Sequence, residues 1–279
     1  MQRLLLVTVA VAFVTSAAAG VRATSGRSTF SWPDNARAAL SLSFDDARDS
    51  QVETGLPLFE RLGVRVTFYV VSERVAGRPD AWRAALRAGH EIGNHSRQHP
   101  CSGNFLWAKE RALEAYTLAG MREELTGANR QIRDVLGVTP RTFAYPCGQT
   151  FVGRGVGTAS YVPLVAELFE AGRGWLDEAP NDPAYVDLAQ VFAVSMDDAT
   201  PEQLRPMLDR AAAAGAWLVL GGHDIGAEAG PQVTRVAAIE GVVAWARDPS
   251  RRIWVDTVGN VARYVRTRQS SPPGAPRGR

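Results

Sequence analysis

The sequence has little of what several protein classes require. Two cysteines among 279 residues allow at most one disulfide, which excludes a disulfide-built scaffold. No internal repeat is visible, which argues against a solenoid or propeller. After the first residues, no run is long and apolar enough to cross a bilayer, since a helical span needs roughly 20 such residues. A Gly-rich phosphate loop joining a strand to a helix is also missing. Gly153, Gly155 and Gly157 stand close together, but they follow no turn of that kind and read as a flexible turn. Nor is there a cationic excess. The formal charge of +2 includes Arg3 near the amino terminus and Arg266, Arg268, Arg277 and Arg279 in an end stretch without acids. Without them the body of the chain is slightly acidic and offers no footprint for nucleic acid.

What is present suits one globular domain: 46% of the residues are hydrophobic and 22% charged. Arg3, an apolar run over residues 4–14 and the small residues Ser16-Ala17-Ala18-Ala19-Gly20 read as a secretory signal over residues 1–19. A membrane anchor or a buried first helix is the alternative, for which the run is short. Residues 20–35 read as a polar leader, 36–267 as the folded domain, and 268–279, rich in Ser, Pro, Gly and Arg, as a disordered tail. The expected location is periplasmic, cell-envelope or extracellular. There Cys101 and Cys147 can form an intrachain disulfide or remain two buried thiols.

Residues 38–44 alternate, with Leu40, Leu42 and Phe44 on one side and Ser41 and Ser43 on the other, which predicts a strand. An amphipathic helix over 52–62 stops at Gly63, and residues 64–71 are rich in β-branched and aromatic side chains. The alternation continues with a helix over 81–87, a short strand over 91–93, a long helical region over 106–136 interrupted at Gly120 and Gly127, and a strand over 141–145. Helical patterns over 162–170, 201–214 and 235–246 then alternate with apolar runs at 191–194, 217–220 and 253–255, and a helix over 258–265 closes the series. About seven strand–helix units predict an α/β fold, a distorted (β/α) barrel of parallel strands, with an open doubly wound sheet as the alternative. In such a barrel the chemistry gathers at the carboxyl ends of the strands.

The chain has four histidines, at 90, 95, 99 and 223. In His95-Ser96-Arg97-Gln98-His99 a spacing of four puts two imidazoles on one face of a helical turn, where they can share an ion. Alone, such a pair is an ordinary feature of a solvated turn. Asp45 and Asp46 end the first strand, where an aspartate more often caps the next helix. Phe143-Ala144-Tyr145-Pro146-Cys147-Gly148 is a strand entering a turn, and Trp217-Leu218-Val219-Leu220-Gly221-Gly222-His223-Asp224 brings a histidine to a strand end. Together and in this order, caps, loops and core fillers do not explain the four.

The series resembles the NodB-homology polysaccharide deacetylases, carbohydrate esterase family 4, over residues 38–265. The likeness rests on Ser43-Phe44-Asp45-Asp46, Thr67-Phe68-Tyr69-Val70, the run from Gly89 through His95 to His99, the Tyr-Pro-Cys-Gly turn and His223-Asp224. It implies a metal-dependent hydrolase that removes acetyl groups, from an N-acetyl amide or an O-acetyl ester, on an acetylated polysaccharide or oligosaccharide. One divalent ion, most often zinc, would be held by Asp46, His95 and His99, with Asp45 as general base and His223 as general acid. The backbone amide of Cys147 would donate to the oxyanion, Tyr145, Pro146 and Leu220 are candidates for substrate binding, and His90 would be structural. Three protein ligands leave a position for water, so the chemistry is coherent.

Two departures stand out. Ala144 occupies the place of an arginine that pairs with the base in many family members, and Arg141, Arg154 or Arg173 could supply that charge. The later Asp-Trp motif has no clear match: Met196-Asp197-Asp198-Ala199 offers only the acid, and Trp175 or Trp217 could wall the acetyl pocket. A hydrolase of small cyclic amides or imides and a catalytically silent glycan-binding relative are the alternatives on the same fold.

Overall fold

Leu40, Leu42 and Phe44 face a layer of helices, as their alternation predicts, yet the serines between them are equally buried. Ser41 accepts a hydrogen bond from the Trp217 indole at 3.1 Å and Ser43 donates to the Leu220 carbonyl at 3.2 Å. The strand is therefore covered on both faces, and its polar side lines the interior of a barrel. The computed structural model describes residues 30–270, so the expected signal and residues 271–279 of the expected tail lie outside the described residues.

The strands in chain order are β1 (Ala38–Asp45), β2 (Thr67–Val70), β3 (Glu91–Asn94), β4 (Thr142–Ala144), β5 (Phe151–Val152), β6 (Ala159–Ser160), β7 (Ala171–Arg173), β8 (Val194–Ser195), β9 (Trp217–Gly222), β10 (Asp224–Gly226), β11 (Val233–Arg235) and β12 (Ile253–Val255). The helices are α1 (Leu56–Leu62), α2 (Ser72–Val75), α3 (Pro79–Arg87), α4 (Leu118–Leu136), α5 (Val162–Leu168), α6 (Pro201–Ala214), α7 (Val236–Arg247) and α8 (Val258–Gln269). The main sheet runs β7-β4-β3-β2-β1-β9-β8 with every pairing parallel, as crossover helices require. It curls back on itself, because Val191 bridges Arg173 of β7 while Val194 and Ser195 pair with β9. On the opposite flank β2 meets only the last residues of β1, and β12 pairs with Ala38–Leu40. This is the distorted (β/α) barrel.

Inward and outward positions alternate around the barrel. Phe44, Phe68, Ile92, Leu218 and Leu220 pack outward into one apolar cluster with α1, α3, α6 and α7; burying one such side chain contributes roughly 1.5–3 kcal/mol. Asp45, Tyr69 and Arg173 fall on the inward set, all buried. Among the described residues, no helix is long and apolar enough to cross a membrane.

Four expectations need correction. The region 106–136 is not one helix: short 3-10 turns at Leu106–Arg111 and Leu113–Ala115 precede α4. Glu114 is held by the Ser102 hydroxyl and the Gly103 amide, which pins this stretch as a loop. Gly120 does not interrupt α4, since its N–H lies in the first turn and donates to the Thr117 cap, and Gly127 is helical and buried. Gly153 and Gly157 belong to an ordered β5–β6 hairpin rather than a flexible turn; a Cβ on Gly153 would come within 2.6 Å of the Gly157 carbonyl. Lastly, Trp32 in the stretch read as leader is buried beside Trp254 and Tyr264, and α8 runs into the stretch read as tail.

Candidate active site

At the end of β1 the backbone enters the left-handed region at Asp46 (φ 80°) and Ala47 (φ 57°). Successive strand side chains normally point to opposite faces. The reversal breaks that alternation, and Asp45 and Asp46 both line one cleft of about 500 Å3. Left-handed backbone costs such residues roughly 1–2 kcal/mol each, so the surroundings must hold it. The Asp46 amide donates to the Tyr69 carbonyl at 3.0 Å, and Arg74 donates to the Asp46 carbonyl at 3.1 Å.

His95 and His99 do meet, but not on a helical turn. The loop after β3 has Ser96 at φ 65° and His99 at φ 58°, and side chains capture its amides: Asn94 accepts from Ser96, Glu124 from Arg97 and Gln98, and Ser96 from His99. With those N–H groups occupied there is no helical ladder, yet the rings lie 4.7 Å apart edge to face. His95 Nδ1 lies 2.9 Å from the Ala144 carbonyl, which only accepts, so Nδ1 carries the proton and Nε2 is a free lone pair. Burial keeps both rings neutral: it lowers the pKa of His95, and with His95 nearby it lowers His99 to about 3.

Both Nε2 atoms face Asp46 Oδ1, at 3.7 Å from His95 and 3.4 Å from His99. That oxygen is buried and accepts no hydrogen bond, while Oδ2 accepts two from Arg48. Burial opposes the charge on Asp46, but the imidazoles around it and Arg48 outweigh burial and hold its carboxyl well below the usual range. An orphaned carboxylate oxygen facing two lone pairs, with donor atoms within 4.8 Å of one another, fits a divalent cation. His99, Cys101 and Cys147 also cluster, but the two sulfurs are joined in a disulfide, Cα to Cα 6.0 Å, so no thiolate is available. The bonded alternative left open by the sequence is the one realised.

The missing arginine is found one strand away. Ala144 on β4 is the register partner of Arg173 on β7, and Arg173 Nη2 donates to both carboxylate oxygens of Asp45. Arg173 is fully buried, with its guanidinium over the Tyr69 ring at 5.0 Å and the Trp175 ring at 5.5 Å. Arg141 instead pairs with Glu170 at the surface, and Arg154 is exposed. Across the cleft, His223 Nδ1 lies 2.6 Å from Asp197, which also accepts from the His223 amide and the Thr234 hydroxyl. Burial works against a charge on His223, but the Asp197 hydrogen bond and the nearby Asp45 and Asp46 raise its pKa. Trp175 stands edge-on to His223 at 4.9 Å, whereas Trp217 is core.

Residues 33–153 match the polysaccharide deacetylase family model. That stretch is similar to polysaccharide deacetylases. Curated relatives include chitin deacetylase 1 of Cryptococcus neoformans, 32% identical over 38% of this chain and 20% of that protein. Another is peptidoglycan-N-acetylglucosamine deacetylase PgdA of Listeria monocytogenes, 29% identical over 39% of this chain and 21% of the relative. The match thus spans about a fifth of each relative's length. Among solved structures, a candidate polysaccharide deacetylase from Mycobacterium smegmatis covers 90% of this chain and 97% of its own at a TM-score of 0.64 and 21% identity. A family 4 acetyl xylan esterase from Clostridium thermocellum, in complex with a cobalt ion, reaches 0.53 at 20% identity, over 81% of this chain and 91% of that one. These structures establish the shared fold.

Relative to the deacetylase motifs, sequence reasoning missed two residues. Gln51, wholly buried at the start of a π-turn before α1, donates from Nε2 to the Asp45 carbonyl at 2.5 Å and the His223 carbonyl at 3.0 Å, clamping two strand ends together. Arg48 bridges Asp46, Asp224 and Gln232. Its position two residues after Asp46 was the only signal in the sequence. Of the substrate-binding candidates, Tyr145 lines the cleft, Pro146 is buried behind it, and Leu220 packs in the outer core with Leu42 and Leu218 instead. Cys147 lines the cleft at φ 55°, and among the described residues its N–H donates to no protein acceptor. His90 stays outside the cleft, where Nδ1 accepts from the Val66 amide between Phe59 and Phe68 and burial lowers its pKa to about 4.

Proposed function

We propose that the chain carries the catalytic domain, residues 36–267, of an exported metal-dependent hydrolase that removes acetyl groups from a glycan, chiefly from an N-acetyl amide. The observation that carries this reading is the orphaned Asp46 oxygen between two neutral imidazoles, flanked by a carboxylate paired with arginine and an imidazole paired with carboxylate. The names of the chitin and peptidoglycan-N-acetylglucosamine deacetylases supply the substrate class. Export rests on the amino-terminal residues and the disulfide.

Asp46, His95 and His99 would hold the ion, for which zinc suits two nitrogens and an oxygen. When bound, it supplies Lewis acidity, polarising the acetyl carbonyl and making water a better nucleophile near neutral pH. Asp45 takes the proton from the attacking water, and Arg173, which donates to both of its oxygens, keeps that carboxylate aimed. The Cys147 amide donates to the oxygen of the tetrahedral species. His223 holds its Nδ1 proton on Asp197 and gives the Nε2 proton to the departing sugar nitrogen or oxygen. Trp175 shields this transfer from water.

The experiment is acetate release from chitin oligomers, peptidoglycan and acetylated xylan, before and after chelation and with metal restored. Release that stops on chelation and returns with zinc is expected. A folded, metal-loaded protein that frees acetate from none of them would overturn the reading.

A further inference from the structure

Phe105, Leu106 and Trp107 project from the loop before α4 with 42%, 80% and 53% of their surfaces exposed. This loop is built to be stiff. Cys101 is bonded to Cys147, Ser102 donates to Glu114 at 2.5 Å, the Ser102 amide donates to Gln149 at 2.7 Å, and the Leu113 amide donates to the Cys101 carbonyl at 3.0 Å. Phe105 stacks on Trp107 with centroids 5.5 Å apart, and Trp107 lies 5.8 Å from the His99 ring. Both aromatics line the same cleft as the acid, base and ligand residues. A rigid aromatic face beside a centre that takes acetyl groups off a sugar offers a flat apolar seat for the C–H face of a ring.

The charge beside that seat is positive. Arg111 lies over the Trp107 ring at 5.9 Å, lines the cleft, and makes no ion pair among the described residues. Arg74 lines it too, half-exposed, and reaches the Asp46 carboxylate only at 4.0 Å. Among the cleft-lining acids, Glu73 alone lies outside the Asp45–Asp46 pair, and it accepts from Gln98. A guanidinium fork matches a carboxylate.

We propose, building on the deacetylase reading, that Trp107 and Arg111 form a subsite for the sugar next to the reacting one, and that this neighbour carries a carboxylate. The preferred glycan is then acidic, with the sugar ring on Trp107 and the carboxylate on Arg111, and Arg74 adding to the local positive field.

The test uses the metal-loaded protein with a chitin hexasaccharide, which is neutral, and a hyaluronan hexasaccharide, which alternates N-acetylglucosamine with a uronic acid. Calorimetry reads binding whether or not turnover occurs, and acetate release reads the reaction separately. The acidic oligomer is expected to bind about tenfold tighter at low salt, an advantage that shrinks as salt is added. Trp107→Ala weakens both oligomers and Trp107→Phe restores most of the loss, whereas Arg111→Gln removes only the preference for the acidic one. Equal affinities for the two oligomers, or a preference untouched by Arg111→Gln, overturn the subsite. Absence of acetate from every glycan overturns the deacetylase reading instead, and the binding data still decide the subsite.

Discussion

His95 and His223 are both buried imidazoles at strand ends of one cleft, yet their pKa values shift in opposite directions, down for His95 and up for His223. Burial pushes each toward the neutral form. The difference lies behind the ring. His95 gives its Nδ1 proton to the Ala144 carbonyl, a neutral acceptor that fixes the tautomer without strongly favouring a second proton. His223 gives it to the Asp197 carboxylate, which does favour one. On the proposed reading the same side chain thus serves as a ligand on one side of the cleft and a proton carrier on the other. The two aspartates divide similarly: Asp46 keeps one oxygen unpartnered beside the imidazoles, and Asp45 has both oxygens on Arg173.

The contrast breaks most severely at the aspartates. Asp46→Ala is expected to lose metal and activity together, with metal affinity reduced by more than about 100-fold, beyond the usual loss for an outer-shell partner. Asp45→Asn should keep its metal and lose turnover by roughly 10² to 10⁴. Metal analysis beside acetate release separates them, and an Asp45→Asn protein working at the wild-type rate contradicts its assignment as base.

Arg173→Met comes next. It leaves Asp45 buried without its cation, a change of about 3–5 kcal/mol when one partner of a buried pair is removed, and turnover and unfolding midpoint should both drop. Because Ala144 and Arg173 are register partners, adding Ala144→Arg to Arg173→Ala should restore part of the turnover that Arg173→Ala alone loses. No recovery would mean that the two strands cannot exchange this role.

A smaller effect is expected at Asp197. On the proposed reading the protonated His223 is the active form, so activity is expected to fall as pH rises through its elevated pKa. Asp197→Asn removes the raising partner, and the alkaline limb of the kcat profile should move to lower pH. The same sign holds for stability: the His223–Asp197 contribution is complete below the unfolded histidine pKa of about 6.5 and is lost as pH rises through the folded one. A limb that stays in place in Asp197→Asn would show that another group sets it. The mildest change is Gly221→Ala, whose Cβ would stand 2.5 Å from the Trp175 ring. Turnover should fall several-fold as Trp175 moves off His223, with metal content unchanged.

Much of this candidate site is legible in the sequence because its residues come in two close pairs. His95 and His99 stand four apart, and Asp45 and Asp46 are adjacent at the end of an unmistakable strand. The expected helical turn was the wrong route to the right meeting, since polar side chains from Asn94, Ser96 and Glu124 hold a left-handed loop that spacing alone does not reveal. The long helix over 106–136 was misjudged for a related reason. Its first third has helical composition, but Glu114 and the Cys101–Cys147 bond hold it as a loop against the cleft.

By itself, the order of residues pointed to the parallel barrel and to two close pairs, Asp45–Asp46 at a strand end and His95–His99, because periodicity and short spacing are local properties; the joining of Asp46 with the two histidines was implied only by the family resemblance. Only the tertiary structure decided which arginine holds Asp45, that Asp197 sits behind His223, and that Gln51 ties their strands. Those partners lie 128, 26 and up to 172 residues apart, and a long-range partner is chosen by sheet register and barrel closure, which no local pattern encodes.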